Sequence, residues 1–263
     1  MRPGLTTIGA IIVALCGLGL PAAHGTTSEQ ALATADFEQR IGTTLPQHIR
    51  LRDTNGRDIA LGELAGDRPL ILVMSWFDCP NLCPMVLEQL ARATGELPFG
   101  SEDYQVAAIS IDPAETPADA RAQQQRLVQG YGQRPQRWRF LTGSREAIAG
   151  VAKAVGFHYA YDAERDRFAH PAGYVVVAPG GVVSRYLFTL RPSQPDLRLA
   201  LLEAGRGQLG SPLDQVVLRC YRFSPDSGQY NLAVVRLLQA AGGTFLMVAI
   251  LAFWWMRRRQ RGR

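Results

Sequence analysis

An α/β sandwich with an N-terminal hairpin addition and a C-terminal transmembrane helix is the fold class that the 263-residue sequence predicts. Three observations predict it. Continuous apolar runs alternate with helix-spaced segments through the middle of the chain. The last two extended runs are separated only by Pro179-Gly180-Gly181, a turn signal. A stretch without a single charge, 237–256, then runs into a cluster of arginines.

The elements follow in order. Met1-Arg2, the apolar run Ile8–Leu20 and the small residues around Ala23-His24-Gly25 have the layout of a secretory signal, placed at 1–25, with an uncleaved anchor helix as the alternative. Cys16 follows bulky Leu15, is a poor lipid-attachment site, and belongs to the removed segment. Ile49–Asp53 and Asp58–Leu61 flank Thr54-Asn55-Gly56-Arg57, and Asn-Gly between extended runs predicts a hairpin. Pro69–Phe77 is a buried central strand by its unbroken apolarity. Met85–Leu97 has helical spacing at Val86, Leu87, Leu90 and Ala93. Tyr104–Ile111 is a second strand, Pro117–Tyr131 a polar-faced helix, and Arg137–Leu141 a short strand. Ser144 caps a helix that runs to Val155, with Glu146 in its first turn. Gly173–Ala178 and Val182–Thr189 pair around the Pro-Gly-Gly turn, and a last helix covers Pro195–Ala204. This order is that of a thioredoxin-like sandwich over residues 36–205.

Residues 206–236 form a juxtamembrane segment in which Ser224-Pro225-Asp226-Ser227-Gly228 is a turn and the residues after it begin a helix. The stretch 237–256 has the roughly 20 apolar residues a membrane-crossing helix needs. Trp254 and Trp255 sit at its interface, and the basic tail 257–263 stays in the cytoplasm. The sequence therefore predicts a single-pass protein of the bacterial inner membrane, with its domain in the periplasm and its C-terminus in the cytoplasm. The formal net charge is +5, and Arg257, Arg258, Arg259, Arg261 and Arg263 equal that excess. The body is close to neutral, which argues against nucleic acid as a partner.

Candidate chemistry sits at Trp76-Phe77-Asp78-Cys79-Pro80-Asn81-Leu82-Cys83-Pro84. Two cysteines, three residues apart, follow the central strand and open a helix, at the carboxyl edge of the sheet where sites tend to be built. Pro84 suits a first helical turn, because its missing N–H needs no partner there. Cys83 then lies at a helix N-terminus, where the dipole favours thiolate, the better nucleophile and metal ligand.

These residues resemble the Sco/SenC family, whose members assist assembly of the copper centre of cytochrome c oxidase. The family's C-P-x-x-C-P signature is matched by Cys79–Pro84. A second block is matched by Ser110-Ile111-Asp112-Pro113-Ala114-Glu115-Thr116-Pro117. The family histidine is matched by His170, ahead of Tyr174-Val175-Val176-Val177. Ala169 and Pro171 flank it where the family often has Asp and Ser, and Asn81 stands where Asp is common. The resemblance implies copper, as Cu(I) or Cu(II), held by Cys79, Cys83 and His170. It implies as partners the copper-bearing subunit of cytochrome c oxidase, a copper donor protein and the inner membrane. The donor chemistry agrees: thiolates suit Cu(I), imidazole accommodates both oxidation states, and no fourth ligand stands at the spacing a closed zinc site requires.

Other readings stay open at this point. Cys79 and Cys83 could form a plain structural disulfide, or the redox pair of a thiol–disulfide oxidoreductase that keeps the oxidase cysteines reduced. A peroxidase is a third reading, with no residue marking a peroxidatic site. The chain is expected not to be a conventional enzyme. His158 reads as part of a helix exit, while His48 and His24 lie outside the site. Asp112 either starts a turn or supports the metal loop. Cys220 is a free thiol or an interchain partner.

Overall fold

The structure, a computed structural model, describes residues 35–79, 83–100, 102–205, 221–224 and 229–232, together with 242–244, 247 and 257. A hairpin of β1 (Arg50–Arg52) and β2 (Asp58–Ala60) leads into a single helical turn, α1 (Leu61–Leu64). Then come β3 (Leu70–Ser75), α2 (Cys83–Gly95), β4 (Gln105–Ser110), α3 (Pro117–Tyr131), β5 (Arg139–Leu141) and α4 (Arg145–Ala154). A small hairpin of β6 (Ala160–Asp162) and β7 (Arg167–Ala169) precedes β8 (Tyr174–Ala178), β9 (Val182–Leu187) and α5 (Gln194–Ala204). A separate two-stranded pair, β10 (Tyr221–Ser224) and β11 (Gln229–Leu232), follows.

The main sheet has the order β5-β4-β3-β8-β9. β3, β4 and β5 run parallel, because helices connect them, whereas β8 and β9 are antiparallel to their neighbours. Three parallel strands beside an antiparallel hairpin, with helices between, is the thioredoxin-like arrangement the sequence predicts. β3 is buried along its whole length, which is why it reads as an unbroken apolar run. Its side chains alternate between two cores. Ile71 and Val73 pack with residues of α2, α3 and α5 on one face. Leu70, Leu72 and Met74 pack with α1 and α4 on the other.

The ends of the helices follow from local chemistry. Thr116 precedes α3 and exchanges contacts with Asp119, Pro117 takes the first turn, and Gly132 stops the helix at φ 79°. Ser144 accepts the Ala147 N–H at 3.2 Å ahead of α4, and Ser193 accepts that of Asp196 at 3.1 Å ahead of α5; both are N-cap bonds. Tyr174, wholly buried in β8, donates its hydroxyl to Val86 O at 2.8 Å and so ties α2 to the sheet.

An N-terminal stretch covers the β9 edge. Gly42 N–H donates to Val183 O at 2.8 Å, Val183 N–H to Thr43 O at 2.9 Å, and Leu45 N–H to Gly181 O at 2.8 Å. Phe37 and Phe157 form a further bridge, and the Phe37 ring packs on Phe157, Tyr186 and Phe188 at centroid distances of 5.3, 5.8 and 5.5 Å. A sheet edge left bare is a template for unwanted pairing, and here residues 42–45 occupy it.

The structure corrects three expectations. No helix among the described residues is long and apolar enough to cross a membrane. Crossing takes about 20 apolar residues, and the longest described helix, α3, has 15 and a polar face. The transmembrane helix at 237–256 and the single-pass inner-membrane placement built on it fall together; of that stretch only 242–244 and 247 are described. The residues after 228 do not begin a helix but form β11, paired antiparallel with β10. After the helix exit at Phe157-His158-Tyr159 the structure adds the β6–β7 hairpin, which the sequence reading does not include. The signal segment 1–25, Cys16, His24, Cys220 and the turn at 225–228 lie outside the described residues.

Candidate metal centre

Sheet register gathers three segments at one edge. β3 and β4 run parallel with Ser75 opposite Ser110, so the chain leaving β4 emerges beside the chain leaving β3. β8 is antiparallel to β3, so the chain entering β8 lies beside that same exit. Residues 76–79, 111–116 and 170–173 therefore converge at the carboxyl end of β3, although the first and last are some ninety positions apart in sequence.

Cys79 is a free, half-buried thiol in the loop after β3. Its loop is held from two sides. Asp78 N–H donates to Glu115 Oε1 at 2.7 Å and Phe77 N–H to Glu115 Oε2 at 3.3 Å. From α3, Arg126 Nη2 donates to Phe77 O at 3.1 Å, while its Nε donates to the buried Gln123 Oε1 at 3.0 Å. The Ser110 hydroxyl donates to Glu115 Oε2, and the Ser75 hydroxyl, fully buried at the end of β3, has no hydrogen-bond partner among the described residues. A cavity of about 470 Å³ opens beside the loop, bounded by Cys79, Pro84, Glu88, Arg126 and Tyr131 among others.

Cys83 is the first residue of α2 and Pro84 lies in the first turn, as the sequence predicts. The Cys83 side chain, like Pro80, Asn81 and Leu82, lies outside what is described.

His170 follows β7 directly and is partly buried. Its Nδ1 lies 3.0 Å from Pro171 O. A carbonyl only accepts, so this contact puts the proton on Nδ1 and the lone pair on Nε2. Burial pushes its pKa below 6.5 despite the opposing Pro171 bond, which keeps the imidazole neutral near pH 7, the form a metal needs. Ligating histidines commonly donate their other ring N–H to a carboxylate or carbonyl; Ala169 offers no carboxylate, and the Pro171 carbonyl serves. Aromatic rings join the segments that carry Cys79 and His170. Trp76 packs edge-on against Phe168 at 5.6 Å, and Phe157 lies 6.0 Å from the His170 ring.

Among the described residues no three His, Cys, Asp or Glu side chains are gathered as a ready metal cluster. The donor set nonetheless has copper-compatible chemistry: a free thiol and a neutral imidazole on adjoining segments. His158 does not join them: its N–H donates to Asp36 O at 2.9 Å and its Nε2 faces Glu38 at 3.6 Å, out in solvent. His48 is exposed at the far N-terminal side. Asp112 is a turn residue, its Oδ1 accepting the Ala114 N–H at 2.8 Å. Glu115 and Arg126 are the contacts that sequence reasoning missed.

Glu115 also predicts a pH dependence. Burial raises its pKa above 4.5, against the lowering effect of Ser110 and the two backbone N–H groups, and nearby Asp112 raises it further. A carboxyl whose folded pKa is raised binds more protons folded than unfolded. Its contribution to stability is fully present below 4.5 and is lost as pH rises through the folded pKa. The stability of the wild type minus that of Glu115→Gln is expected to fall as pH rises above about 4.5, measured by urea unfolding; a difference that rises with pH would refute it.

Comparison with known proteins follows the same residues. The sequence model of the SCO1/SenC family matches residues 38–197, a span that holds Cys79, Cys83 and His170. A Stutzerimonas stutzeri protein named "Putative copper-binding protein" is 30% identical over 142 residues, covering 52% of this chain and 65% of that relative, just under two thirds of its length. A crystal structure of an Aquifex aeolicus protein superposes with a TM-score of 0.56 at 24% identity, over 62% of this chain and 94% of the other. That of Arabidopsis thaliana ScoI with copper bound gives 0.50 at 23%, over 63% and 98%. Both likenesses establish the fold.

Proposed function

This chain belongs to the SCO1/SenC family, and from that premise we propose that it handles copper, holding the metal through Cys79, Cys83 and His170 and passing it toward the dinuclear copper site of a cytochrome c oxidase subunit. The observation that carries the reading is that all three residues fall inside the family match, with the segments bearing Cys79 and His170 in contact through Trp76 and Phe168. Two sulfurs and one nitrogen accommodate copper in either oxidation state. Copper is cargo here, received from a donor protein and released to the oxidase. The Cys79 thiol releases its proton as the metal binds, whereas the neutral His170 imidazole offers its Nε2 lone pair directly, and three ligands leave a position through which an acceptor's ligand can enter.

Full-length protein is compared with His170→Ala by Cu(I) competition and Cu(II) absorption. The variant is expected to lose the Cu(II)–thiolate band of the wild type while keeping weakened Cu(I) binding through its thiols. An unchanged band removes His170 from the ligand set.

A second reading is favoured by the cavity beside the free Cys79 thiol. As a thiol–disulfide reductase, the Cys79 thiolate would attack one sulfur of a partner's disulfide, giving a mixed disulfide and releasing the partner's other thiolate. Cys83 would then attack Cys79 Sγ, leaving a Cys79–Cys83 disulfide and a fully reduced partner. Reduction of a disulfide on the oxidase subunit, undiminished in His170→Ala, would favour this reading.

A further inference from the structure

The face of the sheet beneath the Cys79 loop is otherwise apolar, built from Ile71, Val73, Val106 and Ala108, yet it ends in three polar side chains. Ser75 and Ser110 are register partners and point to that same face, both are fully buried, and Glu115 is 9% exposed. Burying a carboxyl and an unpartnered hydroxyl is costly. Nothing in the packing of α2 or α3 requires it, since alanine or valine at these places would extend the core. What the carboxyl does is accept both N–H groups of the Phe77-Asp78 unit, immediately before Cys79, while Arg126 holds the carbonyl of the same unit. The Phe77 N–H, the Asp78 N–H and the Phe77 carbonyl are thus all taken by side chains from 115–126. The stretch cannot be placed by strand pairing, because β3 ends at Ser75.

We propose that Glu115 is a positioning residue for the site: with Arg126 it presets the backbone that carries Cys79, fixing where the thiol stands before metal or partner arrives. The inference rests on the copper reading of the Cys79 loop for its consequence, and on the hydrogen bonds alone for its geometry. Its two readouts are therefore kept separate.

The full chain is compared with Glu115→Ala, Glu115→Gln and Arg126→Ala. The first readout is Cu(I) affinity by chelator competition. The second needs no copper: the rate at which Cys79 is alkylated by iodoacetamide in a Cys83→Ser background. Glu115→Ala is expected to weaken Cu(I) binding about 10- to 100-fold, the usual effect of removing a group that holds a ligand from behind, and to speed alkylation several-fold. Arg126→Ala shifts both in the same direction but less, having lost one hydrogen bond instead of two. Glu115→Gln restores most of both, because its amide oxygen still accepts the shorter bond from Asp78. If Glu115→Ala loses its cooperative melt, the glutamine and Arg126 variants decide the matter. Wild-type values in both readouts for all folded variants overturn the proposal. A wild type that binds no copper overturns the function proposed above, while the alkylation rates still test the positioning.

Discussion

Cys79→Ser and Cys83→Ser should each weaken Cu(I) binding by far more than the roughly 10- to 100-fold expected for loss of a supporting contact. The reason is ligand softness. Cu(I) prefers polarizable thiolate, and a serine hydroxyl is hard, neutral at pH 7 and a poor donor to it. The fold should scarcely notice the change at position 79, where the thiol is half-buried in a loop and makes no disulfide among the described residues; such sites usually move stability by within about 0.5 kcal/mol. The measurement is a Cu(I) competition titration beside a thermal melt. Lost affinity with an unmoved melt identifies a ligand. Retained affinity in either variant removes that cysteine from the metal site and leaves it to thiol exchange. The same pair of variants read by reductase assay separates the two functions, since a single remaining thiol can bind metal weakly but cannot resolve a mixed disulfide.

The largest effect on stability is expected from Gly156→Ala. Gly156 follows α4 with φ 60°, in the left-handed region, and an added Cβ would stand 1.8 Å from Glu38 O. The conformation alone costs an alanine roughly 1–2 kcal/mol. The clash is with backbone, so the N-terminal stretch must move, and it is held there by Glu38 N–H to Gly156 O at 2.8 Å and His158 N–H to Asp36 O at 2.9 Å. Losing such bonds costs about 1 kcal/mol each. A total of about 3–4 kcal/mol corresponds to a fall in melting temperature of about 6–16 °C for a domain of this size. Limited proteolysis should also show earlier cleavage near Arg40. A melt within a degree or two of wild type would mean that Phe37 and its neighbours do not dock against residue 156.

Much of this molecule was legible in its sequence, for reasons that can be named. β3 and β4 are long apolar runs, and the bounds of α3 are written locally in Thr116, Pro117 and Gly132. The cysteine loop was found because strand, cysteine pair and Pro84 are contiguous. The β6–β7 hairpin escaped because each strand has three residues and its turn holds no glycine; instead Asp162 accepts the Glu164 N–H at 3.1 Å and Asp166 takes φ 48°. An aspartate opening a polar run was the available clue. The segment 229–232 was misread because its apolar residues suit a strand as well as a helix start, and only pairing with 221–224 decides. Glu115 stood in plain view inside a family block, but its role depends on the parallel register of β3 and β4, which no local pattern carries. Arg126 is hidden likewise, as one polar residue on a polar helix face.

The covering of β9 by residues 37–45 also bears on how the protein is made. That stretch is the first part of the domain to leave the ribosome, and its partner, β9, is the last strand of the main sheet to follow. Closing such a long loop is among the slowest steps open to a chain of this kind. Until it closes, β9 stands as a bare edge and the Phe37 ring has no nest to enter. At this seam the beginning of the domain cannot pair until its last sheet strand has been made.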